Sequence, residues 1–201
     1  MARTVLYSRF EDGVKAKIGI ADLIDAEKTL LGAYFNQWMQ YCHEYYPWPE
    51  LTKSELRTPD ANNIIGWEQP AKDEIGMFYN IYKTDPFATA YPAELSFTLT
   101  DEGARITSTT DLTGGVYPRY QKKVATYTTD RAQAFPSIFL LPLMHYAYGE
   151  WLKSDGQNQK GQLELQVAEE ILKQEIEKFA RQQFQEQPTR FITHSTTSYR
   201  Y

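Results

Sequence analysis

The sequence predicts an α+β fold, mainly α: a helical bundle with an inserted β-hairpin or small sheet and extended terminal arms. Three observations carry this. Apolar residues recur at steps of three or four in an early and a late segment, a run starting at Phe135 is apolar all round, and Ala93–Thr100 alternates with period two. The 201 residues are enough for one domain with a real core, and 42% apolar against 23% charged residues is a globular balance.

The first periodic segment runs from Asp22 to about Tyr46, with Leu23, Leu30, Leu31, Tyr34, Trp38, Tyr41, Cys42 and Tyr45 on one helical face. Asp22 is the candidate N-cap, and Pro47 and Pro49 end the helix, because proline disfavours helical backbone in the residue before it. The polar, glycine-punctuated stretch before it reads as an N-terminal arm over residues 1–20. Residues 21–187 then form a single domain with a β-rich insertion at about 91–128, and residues 188–201 form an extended C-terminal tail.

Between Trp48 and Ala90 the prolines at 49, 59, 70 and 86 argue against long helices, and the segment reads as irregular. A hairpin follows: Ala93–Thr100, a turn at Asp101-Glu102-Gly103, and a β-rich return from Ala104 to Thr109. Gly114-Gly115 then precedes a third strand, Val116–Lys123, whose Pro118 assigns it to a sheet edge. The run from Phe135 to Leu152 suits a helix buried on several sides, with Pro142 tolerated only in its first turn. Ser154–Asn158 is a turn. The last helix spans about Gly161 to Gln187, with Leu163, Val167, Ile171 or Leu172, Ile176, Phe179 or Ala180, and Phe184 as its apolar stripe, and Pro188 stops it.

The function classes narrow by chemistry. A formal charge of −5 repels a phosphate backbone, so nucleic acid is not an expected primary ligand. One cysteine, Cys42, forms neither a disulfide framework nor a thiolate cluster, which fits synthesis in a reducing cytoplasm. The N-terminus lacks an apolar signal-peptide core, and no stretch approaches 18 uninterrupted apolar residues, so neither export by that route nor membrane insertion is expected. The sequence has no phosphate-binding glycine loop, nucleophile elbow or HExxH helix, and His43, His145 and His194 fall in three different elements without ligand spacing. Cys42 and His43 are adjacent on a helix and point in different directions, so they form no local nucleophile and base pair. Glu169-Glu170 sits on a solvated helix and Asp101-Glu102 in a turn. His145 and Glu150 are the best hidden polar candidates, read as structural hydrogen-bonding groups. The expectation is a non-enzymatic chain with no cofactor and no catalytic or metal site. Its 15 Tyr, 10 Phe and four Trp suit either an aromatic core or protein interfaces.

The order of parts, with Val116-Tyr117-Pro118-Arg119-Tyr120, Thr126-Tyr127-Thr128, Phe135-Pro136, the helix Pro142–Leu152 and the Gln-rich helix Gln162–Gln187, resembles the head-to-tail adaptor, or neck, proteins of tailed bacteriophages. The resemblance covers about Ala21 to Gln187, rests on element order, and departs from the family in the long segment Trp48–Ala90. It implies a structural virion protein, made in the host cytoplasm, that forms a homo-oligomeric ring of twelve copies beneath the portal protein. Such a ring extends the DNA channel, through which packaged DNA passes without specific binding, and docks the tail or a lower-neck protein. In the C-terminal tail Arg190, Phe191, Ile192, Tyr199, Arg200 and Tyr201 are the expected portal-binding residues, as apolar anchors and bidentate arginines on a polar strand. Two other readings fit the composition: a carbohydrate-binding or hydrolytic tail module using the aromatics as a platform, and another phage ring such as a tail terminator.

Overall fold

The computed structural model describes residues 3–68, 74–108, 110–128 and 130–186, with side chains through Arg181. The chain order is β1 (Thr4–Leu6), α1 (Tyr7–Ile18), α2 (Asp25–Glu44), β2 (Thr52–Ser54), β3 (Ile64–Gly66), β4 (Ile75–Tyr82), β5 (Glu94–Leu95), β6 (Phe97–Leu99), β7 (Gly103–Ile106), β8 (Tyr117–Lys122), β9 (Ala134–Pro136), α3 (Leu140–Ser154) and α4 (Asn158–Glu186). A short 3-10 turn, Ser137–Phe139, leads into α3.

The expected helical bundle with a small hairpin is corrected. Four helices account for 43% of the chain and nine strands in three sheets for 22%, so the β part is a substantial module rather than an ornament. That module, β2 to β8, lies between α2 and α3 in sequence and holds two antiparallel sheets, ordered β2-β8-β4-β5 and β3-β7-β6. Both sheets feed one apolar core of Ile65, Ile75, Phe78, Ile81, Leu95, Ala104, Ile106, Val116 and Tyr120. A second core joins the helices to the two-stranded β1–β9 ribbon, around Tyr7, Phe10, Phe35, Phe135, Phe139, Leu143 and Trp48. Its rings meet edge to face, as the ring quadrupole favours: Phe35 lies 4.7 Å from Phe10, 4.9 Å from Tyr7 and 5.0 Å from Phe135 between centroids.

The N-terminal arm is also corrected. Tyr7–Ile18 is a helix whose Tyr7, Phe10, Glu11 and Val14 are buried at helical spacing, ending at Gly19 in the left-handed conformation that glycine adopts without strain. A carboxylate in the buried stripe hides the pattern. Glu11 is sealed in by Arg131 (2.9 Å) and Lys15 (3.6 Å). The start of α2 shifts from Asp22 as well: the Glu27 carboxylate turns back to accept the Ile24 backbone N–H at 2.8 Å, satisfying a free donor of the first turn.

The reading of Trp48–Ala90 as irregular misses β2, β3 and the eight-residue strand β4. Two register shifts in the β4–β8 pairing, at Ile75/Met77 and at Phe78/Asn80, destroy the strict alternation by which a strand is recognised. The edge assignment of Val116–Lys123 fails too, since β8 is a central strand. Pro118 fits there because it pairs with Ile81 of β4, while β2 on the other side stops at the Ser54–Arg119 pair and so asks no N–H of residue 118.

Pro142 stands in the first turn of α3, as expected from its missing N–H. α3 and α4 form an antiparallel hairpin in close approach. A Cβ on Gly161 would come within 2.6 Å of the Gly149 carbonyl oxygen, and one on Gly149 within 2.9 Å of the Gly161 oxygen. This crossing sets the rotation of α4, so that Leu165, Ala168 and Leu172 are buried. Leu163 is instead 61% exposed and Val167 42%, which corrects the expected stripe.

Candidate functional site

A cleft of about 620 Å³ opens at the junction of the helices and the β module. The last turns of α2 give it Asn36, Gln40, His43 and Glu44, β4 gives Ile75, Met77 and Tyr79, and the end of β8 and the following segment give Gln121, Lys122, Lys123 and Val124. Trp67 closes one end, its indole N–H held by the Thr100 carbonyl at 3.2 Å and its ring against Phe78 at 5.0 Å. Glu68 and Glu74 line it as well, so charged and polar side chains outnumber the apolar walls of Trp67, Ile75, Met77 and Val124.

One polar chain bolts the two halves together beside this cleft. The Gln121 amide N–H₂ donates to His43 Nδ1 (2.8 Å) and to the His43 carbonyl (2.7 Å), and its oxygen accepts from the Tyr79 hydroxyl. An acceptor Nδ1 fixes the neutral ring with its proton on Nε2. Burial agrees, holding the His43 pKa down at about 4, and it pushes the Tyr79 phenol up to about 12. This arrangement keeps both groups uncharged near neutral pH and serves connection better than proton transfer.

His145, singled out from the sequence, is part-buried between α1, α3 and α4. Its Nδ1 lies 2.7 Å from Glu164 Oε2, and Lys17 Nζ lies 3.4 Å from the same oxygen and 5.4 Å over the Tyr148 ring. Glu150 is not part of this group and pairs instead with Lys153, one turn on, at 3.3 Å. Neither Lys17 nor Glu164 carries a local signal, because each meets His145 only through the packing of separate helices. Glu169 likewise has a role its surface position conceals: it accepts the Tyr41 hydroxyl at 2.6 Å. Burial, reinforced by that carboxylate, pushes the Cys42 thiol well above its ordinary range, so the thiol is an inert core group rather than a nucleophile. Trp48, fully buried, donates its indole N–H to the Cys42 carbonyl at 2.8 Å.

Among the described residues, no group of three or more His, Cys, Asp or Glu side chains is arranged to hold a metal ion, and no helix is long and apolar enough to cross a membrane. The expected portal-binding residues Arg190, Phe191, Ile192, Tyr199, Arg200 and Tyr201 lie outside the described residues.

Large apolar side chains do remain at the surface, in both halves. The helices expose Ile24 (67%), Leu141 (53%) and Leu163 (61%), and the β module exposes Phe87 (75%), Tyr91 (92%) and Leu99 (58%). The fold and these surfaces define an α+β protein with two cores, a junction cleft and separate exposed apolar positions on each half. Models of known protein families give no match to the chain, and a search of curated proteins gives none.

Proposed function

We propose that this chain is a structural virion protein that forms a ring beneath the portal of a tailed bacteriophage, joining capsid to tail and extending the DNA channel. The observation that carries the reading is that large apolar side chains stay exposed on both parts of the chain, Leu141 and Leu163 on the helices, and Phe87 and Tyr91 in the loop after β4. A head-to-tail ring is built from heterologous contacts, in which each subunit uses one surface toward the neighbour on its left and a different one toward the neighbour on its right.

The resemblance to the adaptor family rests on element order, namely an early amphipathic helix, a β region, a proline-opened helix and a long final helix, and here a further helix, Tyr7–Ile18, precedes them. The inserted module is larger than that resemblance implies. A net charge of −5 suits a conduit in which DNA must slide rather than be held. In this reading the C-terminal tail, with Arg190, Phe191 and Tyr199, anchors the ring on the portal, and the opposite face receives the tail or the next neck component.

The test is the mass of the protein mixed with the portal of its own virus. A single stoichiometric ring on the portal is the expected product. A chain that stays monomeric and shows no affinity for the portal contradicts the reading.

A further inference from the structure

The end of α4 and a free sheet edge lie on the same side of the molecule. The β module is spliced between the C-terminal end of α2 and the N-terminal end of α3, so it sits at that end of the helices. α4 runs antiparallel to α3, and its last turns therefore come out beside the module rather than at the opposite pole. The ring of Phe179 marks the place, edge to face with Trp48 at 5.9 Å. Trp48 in turn accepts the Thr52 N–H at its carbonyl, at 3.0 Å, where β2 begins.

Among the described residues β2 pairs with β8 on one side and with no strand on the other. An edge strand directs a row of backbone N–H and C=O groups outward, a template for another strand unless something covers it. Glu50 and Glu55 flank this edge, and Leu56 just past it is 47% exposed. Glu55 meets Lys53 at 3.8 Å, a separation that leaves its carboxylate able to take a second, closer cation.

The sequence after α4 has the complementary make-up, although it lies outside the described residues. Thr189-Arg190-Phe191-Ile192-Thr193-His194-Ser195 is rich in the β-branched and aromatic types that strands use. Residues 187–201 contain Arg190 and Arg200 and no carboxylate side chain. The reach is short. From Phe179 to Glu186 α4 advances roughly 10 Å at about 1.5 Å per residue, and four extended residues at about 3.3 Å each recover roughly 13 Å.

We infer that in the unassembled protein residues 189–195 lie along the free edge of β2 in the same chain, adding a fifth strand to the four-stranded sheet. Main-chain pairing holds the segment, and Arg190 meets the carboxylates of Glu50 and Glu55. The short tether favours the chain's own edge over that of another copy, because it sets a high effective concentration. The inference goes beyond the ring reading, since it concerns the free chain and needs no portal. Its consequence for that reading is that Arg190, Phe191 and Ile192 stay occupied until the portal competes for them.

The experiment attaches a nitroxide at Thr193→Cys in the full-length chain and compares backbone amide signals with the label oxidised and reduced. Cys42 is buried, so the label goes to position 193. The amides of Thr52, Lys53 and Ser54 are expected to lose most of their intensity, and those of Leu163 and Val167, near the other end of α4, to keep theirs. When the nitroxide is carried by one population and the isotope label by another, the broadening is expected to vanish. Phe191→Pro combined with Ile192→Pro is expected to abolish it as well, because successive N–H groups of a strand point to opposite sides and one of the two is always lost from the pairing. Unaffected β2 amides, broadening that persists in the mixed populations, or broadening that survives the two prolines overturns the inference. None of these results touches the ring reading, which the mixture with the portal tests separately.

Discussion

Gly149 and Gly161 are the residues on which the helical half depends most narrowly. Each backbone oxygen occupies the space a neighbouring Cβ would need, at 2.9 and 2.6 Å, and backbone cannot move aside as a side-chain tip can. Gly161→Ala is therefore expected to cost about 1–3 kcal/mol by overpacking, read as a lower urea midpoint with an unchanged slope. An unchanged midpoint would mean that the two helices separate freely at this point. Gly13 is a milder case: its Cβ would meet only the flexible end of Met144.

His43 gives a pH dependence of known sign. Burial lowers its folded pKa from the ordinary 6.5 to about 4, so the unfolded chain binds the proton more readily. The stability it contributes is fully present above about pH 6.5 and is lost as pH falls from there toward about 4. Urea midpoints measured across that window should fall more steeply for the natural chain than for His43→Gln, in which nothing titrates at this position. Parallel curves for the two would show that His43 takes no part. The Gln121 side chain that fixes this ring reaches it from a strand 78 residues away in sequence, which is why no motif announces the connection.

At the scale of elements, what was legible followed local rules and what was not depended on distant partners. α2 and α3 were readable from period and proline position, and the β6–β7 hairpin from alternation around Gly103. α1 was lost because its buried stripe contains Glu11, whose charge is offset by Arg131 from far along the chain. β4 was lost because bulges broke its alternation, and β8 was set at an edge because nothing local shows that β2 stops short of Pro118. α4 is the most instructive. Two stripes satisfy helical spacing, Leu163-Val167-Ile171 and Leu165-Ala168-Leu172, and only the Gly149–Gly161 crossing selects the second. Leu172→Ala is accordingly expected to destabilise by about 2–5 kcal/mol, and Leu163→Ala to stay within about 0.5 kcal/mol. Equal losses at the two positions, in the same denaturant titration, would contradict this phase of the helix. The candidate site is legible only in fragments: His145 stands out in the sequence, whereas Lys17 and Glu164 reach it through helix packing, and Phe87 falls in the segment Trp48–Ala90 that reads as irregular.

At the scale of the whole molecule, the chain divides its apolar content between two cores and spends the remainder on its surface. The helical core takes more of the aromatics than the β core does, so abundance of Tyr, Phe and Trp does not by itself indicate an interface. Phe87 and Tyr91 stay exposed on the β module, and Leu141 and Leu163 on the helices.

The central claim is one of position in a particle, and crosslinking within the intact virion, read alongside imaging of the same particles, tests it most directly. Crosslinks from this chain to the portal on one side and to a tail or lower-neck protein on the other, with a ring of density between them, are the expected result. Finding the chain only at the distal end of the tail, or absent from the particle, would contradict it.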